Sequence, residues 1–439
     1  MTYYPSGSIP RSLSPPPLNV QPNRLLPTDH NLKGVGRVTA TAVRTPEARP
    51  RKTDKSSKDT KVSDRSDVPE QIPGRKDSEN ANRTTSTMSL LEFRKNRPAL
   101  FWVKGEKKEI KAEETIKFPS NHGFPLIWRD TVTKRGESKA IVQAAACKNK
   151  DGVEEYLAVK VVSFDTSDAR DKADEEVKTL KNICHNHIIA FVGSYTLDDT
   201  LGILLFPLAK YNLWTYMKTI CKHNRTQQGE DITPHKYVAR LKGYFACLCH
   251  ALLYLHEREK PIKHRDIKPE NILIDAFGTV ILTDFDISKE YRSREAAVTS
   301  GKTMCTVKYA PKETLSGRNR DLDSDIFSLG CVFLEMATVM LGESFTNLYD
   351  HISGQTPNGG QTPDIYVVYC EKSTEVNSWI EILKVRMKKG TKGAAASASG
   401  FKALDENSLK MILNMMSEKP KERPRLREVI KEFEQLGEK

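Results

Sequence analysis

Lys263-His264-Arg265-Asp266-Ile267-Lys268-Pro269-Glu270-Asn271-Ile272-Leu273-Ile274-Asp275 is the stretch on which the reading of this chain turns. It sets His264, Arg265 and Asp266 side by side, with Lys268 two residues past Asp266 and Asn271 three beyond that. A second acidic cluster, Asp284-Phe285-Asp286, begins nine residues after Asp275. Between the two, residues 271–274 and 279–282 read as short strands joined by the turn-forming Asp275-Ala276-Phe277-Gly278. Such a hairpin brings Asn271 and Asp284 to the same end. Upstream, Val238, Leu241, Phe245, Leu248, Leu252 and Leu255 recur at spacings of three and four. That pattern predicts a buried-stripe helix over 235–258, which delivers the stretch.

Working outward, two strands are predicted over 139–148 and 155–164, joined by Asn149-Lys150-Asp151-Gly152. In the second, Lys160 points away from Val159 and Val161, toward one face of the sheet. A lysine inside an apolar strand is costly unless something pairs with it. A helix predicted over 171–183 offers two acids, Glu175 and Glu176. Loop 263–275, Ala158-Val159-Lys160 and Asp284-Phe285 together resemble the eukaryotic protein kinases, and Ile267-Lys268-Pro269-Glu270-Asn271 resembles their serine/threonine type. The resemblance covers about residues 124–437. It implies an α+β, two-lobed protein kinase fold: a small antiparallel β lobe with one main helix (about 124–207) and a large, mostly helical lobe (about 208–437).

The resemblance also implies chemistry. Phosphoryl transfer needs a carboxylate near the attacking hydroxyl, a cation for the transferred group and oxygen ligands for magnesium. Asp266 is the candidate base, Lys268 the cation, and Asn271 with Asp284 the magnesium ligands, with ATP as co-substrate. Lys160 matches the lysine that contacts the α- and β-phosphates, and family spacing favours Glu176 over Glu175 as its partner. Ala158 lies where adenine would sit. Phe206 stands as gatekeeper, and the backbone groups of Pro207 and Ala209 as adenine contacts. Two departures stand out. The nucleotide-covering segment 133–142 offers only Gly136, with Lys134 and Lys139 where the first and third glycines would be, so weak ATP affinity is expected. Asp286 replaces the glycine after Asp-Phe, adding charge and restricting backbone freedom.

Downstream, Thr306, Tyr309 and Glu313 match the family's substrate-positioning segment, and Glu313 is expected to pair with Arg423. Asp325 opens a central buried helix, which it is expected to cap while bracing the loop around Arg265. Residues 388–400 read as a low-complexity loop, and 405–416 and 425–436 as closing helices. His185 and His187, and Cys247, Cys249 and His250, are read as structural.

The chain of 439 residues carries 69 Lys and Arg against 57 Asp and Glu, a net charge of +12. Half of that surplus lies in residues 1–90, which hold 15 Lys and Arg, 9 Asp and Glu, and no aromatics beyond Tyr3 and Tyr4. Such composition cannot bury enough apolar surface to offset the entropy of ordering. A disordered basic tail is expected, with Ser14-Pro15-Pro16-Pro17 and Thr45-Pro46 as possible phosphosites and the segment open to acidic or docking partners. Residues 91–123 read as a lead-in packing on the small lobe. The eight cysteines form no CxxC pair, which fits a reduced intracellular setting, cytoplasmic or nuclear. No apolar signal core or 18-residue apolar run is read, and no nucleic-acid signature. Two other readings stay open: a pseudokinase acting as a nucleotide- or protein-binding scaffold, and a small-molecule kinase. Arg265 beside Asp266 suggests control by a phosphate on the segment bearing Thr299, Ser300 and Thr303. Replacing all three hydroxyls by alanine is expected to lower activity; a phosphotransfer assay matching the wild type refutes loop control.

Overall fold

The computed structural model describes residues 86, 88–104, 108–131, 140–164, 166–225, 234–285, 288–301, 305–318, 320–354, 367–390 and 404–435. The tail through residue 85, Gly136 with Lys134 and Lys139, Asp286, Thr303 and residues 391–400 lie outside the described residues.

The small lobe is one sheet. After helix α1 (Leu90–Asn96) come β1 (Leu100–Phe101), β2 (Thr115–Phe118), β3 (Ile127–Thr131), β4 (Ala140–Asn149), β5 (Glu154–Ser163), helix α2 (Ser167–Leu180), β6 (Ala190–Leu197) and β7 (Thr200–Phe206). Their order is β1-β4-β5-β7-β6-β2, with β3 on β4. All pairs are antiparallel, as expected of this lobe, except β2 of the lead-in, which runs parallel to β6. The lead-in is therefore part of the lobe, since β1 and β2 both come from it. The β4–β5 turn closes because Asn149 Oδ1 accepts from the amides of Asp151 and Val153, both at 3.0 Å, while Gly152 takes φ 80°. Ala173, Val177 and Leu180, at helical spacing, bury α2 against the sheet and carry Glu176 inward with them.

The large lobe comprises β8 (Tyr211–Asn212), α3 (Leu213–Arg225), α4 (Pro234–His256), β9 (Ile262–Lys263), β10 (Ile272–Ile274), β11 (Val280–Leu282) and β12 (Lys289–Glu290). Helices α5 (Lys312–Leu315), α6 (Asp323–Met340), α7 (Phe345–Ser353), α8 (Ser373–Gly390), α9 (Glu406–Met415) and α10 (Leu426–Glu434) complete it. The β10–β11 hairpin turns on Asp275, whose Oδ1 accepts from Phe277 and Thr279 amides at 2.9 and 2.8 Å. Part of α4, Tyr237–His256, is long and apolar enough by length and composition alone to cross a bilayer. Its stripe instead packs in the core, Phe245 against Phe333 and Phe433 at ring separations of 4.6 Å.

Helix α6 is the axis of this lobe: every residue from Ser324 to Met340 is buried. Gly330 lets α9 approach, because a Cβ there would lie 2.9 Å from Met415 Cβ. Glu313 and Arg423 meet as expected, in a buried two-pronged pair at 2.6 and 3.1 Å. Arg423 also donates to the Asp323 carbonyl at the start of α6. Asp325 does not cap the helix; it is the third helical residue, and its carboxylate turns back onto the loop before it.

Breaking one partner of a buried ion pair strands the other charge. Arg423→Met is therefore expected to lower stability by about 3–5 kcal/mol, and the Glu313→Leu, Arg423→Met double variant by less than the sum of the single changes. Urea denaturation of the three variants checks this.

Candidate active site

The loop 263–271 is held from beneath. Asp325 accepts from the amides of His264 (2.7 Å) and Arg265 (2.8 Å) and from His256 Nε2 (3.0 Å). Arg265 takes a left-handed φ of 71°, a conformation that a non-glycine residue keeps only when its surroundings enforce it. The strained turn aims Asp266 outward. Its Oδ2 receives Lys268 Nζ at 2.6 Å and Asn271 Nδ2 at 2.8 Å; its Oδ1 receives the Thr306 hydroxyl at 2.5 Å. Lys268 Nζ also donates to the Thr306 oxygen at 3.0 Å. Burial works against the Lys268 cation, but Asp266 reverses that and its pKa is raised.

The hairpin brings the second acid back, as its turn implied. Thr283 donates to the Asn271 carbonyl at 3.0 Å, so Asp284 comes directly beside Asn271. Asp284 has φ 56°, and Phe285 is buried against the His264 ring at 4.7 Å. Lys160, 7% exposed, pairs with Glu176 at 2.7 Å and stands 3.9 Å from Asp284. Glu175 is exposed and pairs with Lys178. The buried lysine expected to need a partner thus has one from the neighbouring helix and faces another from the opposite lobe.

Magnesium binds through oxygens. Asn271 commits its amide nitrogen to Asp266, by bonds to the carboxylate and the carbonyl, which leaves its oxygen as the ligating atom. The Asp284 carboxylate, 40% exposed, adds an anionic oxygen. One neutral and one anionic donor suit a cation that draws its other ligands from water and phosphate.

Beside Lys160, Ala158 lies on an apolar patch with Ala144, Val142, Leu205 and Leu208. Here Phe206 is corrected. Leu205 is the cross-strand partner of Ala158, so it shares that face; Phe206 points to the opposite face, fully buried and stacked on Phe93 at 4.2 Å. Pro207 and Ala209 flank Leu208 in the linker between lobes, after a cis Phe206–Pro207 bond. Sequence reasoning missed Leu205, Leu208 and the bond of Ser86 to the linker. The strand alternation of 203–206 carried the first of these; Ser89-Leu90-Leu91-Glu92, a capping box that starts α1, was the signal for the region of the last.

Around Arg265, its Nη2 donates to the Tyr291 hydroxyl at 2.7 Å, while Thr299 exchanges both backbone bonds with Arg320 at 2.9 Å. Lys263, 1% exposed, donates to the carbonyls of Ala297 (2.9 Å) and Arg320 (3.2 Å).

The protein kinase domain family matches residues 138–433, so the chain belongs to that family. It is 30% identical over 194 residues to the serine/threonine-protein kinase nekl-2 of Caenorhabditis elegans, covering 43% of this chain and 52% of that one. It is 34% identical over 167 residues to the mitogen-activated protein kinase kinase kinase ANP1 of Arabidopsis thaliana, covering 38% and 22%. The serine/threonine-protein kinase Nek8 of Danio rerio is 31% identical over 184 residues, covering 42% and 24%. The chain spans about half or less of the length of these curated relatives.

Burial lowers the Lys263 pKa to about 8 from 10.5, with Asp325 opposing and Arg265 adding to the shift. Between those values the unfolded chain binds more protons, so this group makes stability rise with pH across that window. The wild type is expected to gain up to ~3 kcal/mol on Lys263→Met from about pH 7.5 to about pH 10, read by urea denaturation at each pH.

Proposed function

We propose that this chain is a protein serine/threonine kinase, moving the γ-phosphate of ATP, with magnesium, to Ser or Thr hydroxyls of proteins. The contact at Asp266 carries the reading: one carboxylate oxygen accepts a threonine hydroxyl while Lys268 stands within bonding distance of both groups. A substrate hydroxyl in place of that of Thr306 would lose its proton to Asp266 as its oxygen bonds to the γ-phosphorus. The bond from that phosphorus to the β–γ bridging oxygen breaks, and ADP leaves. Lys268 neutralises charge on the transferred group. Lys160, oriented by Glu176, holds the α- and β-phosphates; Ala158, Leu205 and Leu208 offer adenine an apolar seat. Asn271 and Asp284 would hold magnesium, which when bound neutralises phosphate charge.

The names of two relatives, both serine/threonine-protein kinases, support Ser and Thr hydroxyls as acceptors. Free cysteines, scattered through the described residues, support action inside the cell, in cytoplasm or nucleus. The basic tail is read as a docking element for acidic partners. The glycine-poor segment around Gly136 and Asp286 favours the second reading, a non-catalytic nucleotide- or protein-binding scaffold.

Phosphotransfer from Mg-ATP to a generic basic protein, and to the tail itself, separates the two. Wild type is expected to transfer, Asp266→Asn to fall by about 10²–10⁴-fold, and Lys160→Met to lose detectable turnover. Wild type that binds nucleotide without transferring phosphate overturns the kinase reading in favour of the scaffold.

A further inference from the structure

A segment lying wholly before the family match grips the back of the linker between the lobes. Ser86, 5% exposed, accepts from the Leu208 amide at 3.0 Å and donates to the Tyr156 carbonyl at 3.0 Å. Its hydroxyl thus joins the linker to strand β5 where β7 no longer pairs with it. Leu90 is fully buried, with its amide 3.5 Å from Asp275 in the β10–β11 turn of the large lobe. Phe93 stacks on Phe206, the last residue before the linker. Arg94 donates to the carbonyls of Ile188 (2.8 Å) and Ile189 (3.4 Å), where the chain leaving α2 bonds the β11 residue Leu282. Helix α1 is built to hold this position: a Ser89–Glu92 capping box fixes its start, and Arg97, at φ 42°, returns its amide to the Phe93 carbonyl.

We propose that Ser86 together with residues 88–97 is a clasp that fixes the linker, and that Ser86 is a positioning residue for the nucleotide side of the reaction. This rests on the kinase reading only for where the nucleotide sits. Leu208 carries both ends of the argument. Its amide is held by Ser86, and its side chain shares the apolar patch of Ala158 and Leu205. Releasing the amide frees the residue against which adenine packs, so binding must then supply the ordering that the clasp supplies now. Among the described residues no hydrogen bond or ion pair joins the peptide side, at Asp266, Lys268 and Thr306, to the clasp, and that side is expected to be indifferent to it. Ser86 acts through Leu208 and touches no reacting atom.

The test uses the full chain with Ser86→Ala, Ser86→Thr and Arg94→Ala. Amide exchange at residues 205–209 reads the linker, Mg-ATP titration reads affinity, and steady-state kinetics read the two Michaelis constants. Ser86→Ala is expected to speed Leu208 exchange at least tenfold and to weaken Mg-ATP binding about fivefold, with peptide KM unchanged. Arg94→Ala should change both in the same direction, and Ser86→Thr, which keeps the hydroxyl, should restore wild-type values. Faster Leu208 exchange with unchanged nucleotide affinity overturns the proposal, as does a parallel loss in both Michaelis constants. Wild type that binds nucleotide but transfers no phosphate overturns the kinase reading alone, because the exchange and titration arms still decide the clasp. Wild type that binds no nucleotide overturns both.

Discussion

The Asp325 carboxylate is the interaction on which the rest depends. It is 1% exposed, and burial by itself raises a carboxyl pKa. The bond and charge of His256, the charge interaction with His264 and the Arg265 amide reverse that, and the group is held below its ordinary value. An ion so buried persists only where donors surround it, and here the donors are the backbone of the catalytic loop itself. The left-handed turn at Arg265 is the geometric consequence. It throws Asp266 outward while leaving His264 inside, against Phe285. One residue of helix α6 therefore decides where the Asp266 carboxylate stands.

The same helix uses a second buried acid in the same way. Glu335, wholly buried, accepts from the hydroxyls of Tyr309, Tyr349 and Tyr369 and pairs with Lys308 at 2.8 Å. Lys308 in turn lies 4.2 Å from the Tyr349 ring centre. Residues 306–309 are pinned between Asp266 at one end and Glu335 at the other, and the Glu313–Arg423 pair secures helix α5 just beyond them. Segment 306–309 is thus tied to α6 directly by Glu335, and at second hand by Asp266, whose loop Asp325 holds, and by Glu313, whose partner Arg423 bonds the Asp323 carbonyl. Each of these carboxylates is saturated with donors, which is the condition for buried charge to hold a structure rather than weaken it.

Charge at fixed spacing is what the sequence made readable. The strand period shows that Lys160 needs a partner and one tight hairpin brings Asn271 to Asp284, whereas Glu176 for Lys160 and Arg423 for Glu313 come from the resemblance to the kinases. Phe206 failed for the same reason in reverse. Strand alternation makes a one-residue slip exchange the two faces, and Leu205, opposite Ala158, holds the place assigned to its neighbour. Asp325 was half legible: its residue type suggested a cap, but the helix begins two residues earlier, so its oxygens meet the loop instead. The clasp was least legible. Ser86 comes after 85 residues of similar Ser- and Thr-rich composition, and only tertiary contact with Tyr156 and Leu208 distinguishes it.

These contacts divide the cleft unequally between its front and its back. At the front, Lys160 and Asp284 face each other across 3.9 Å, with Asp284 40% exposed, so water screens that attraction. At the back, Ser86 and Arg94 make bonds of 2.8 to 3.4 Å to buried and half-buried backbone groups, and aromatic rings stack at 4.2 Å. Opening by a given angle stretches the front contact most and the back contacts least when the pivot lies behind the linker. Admission of a nucleotide requires room at the front alone. The short contacts behind join the clasp to the small lobe and the linker, and its reach to the large lobe is the longer one, the Leu90 amide at 3.5 Å from Asp275.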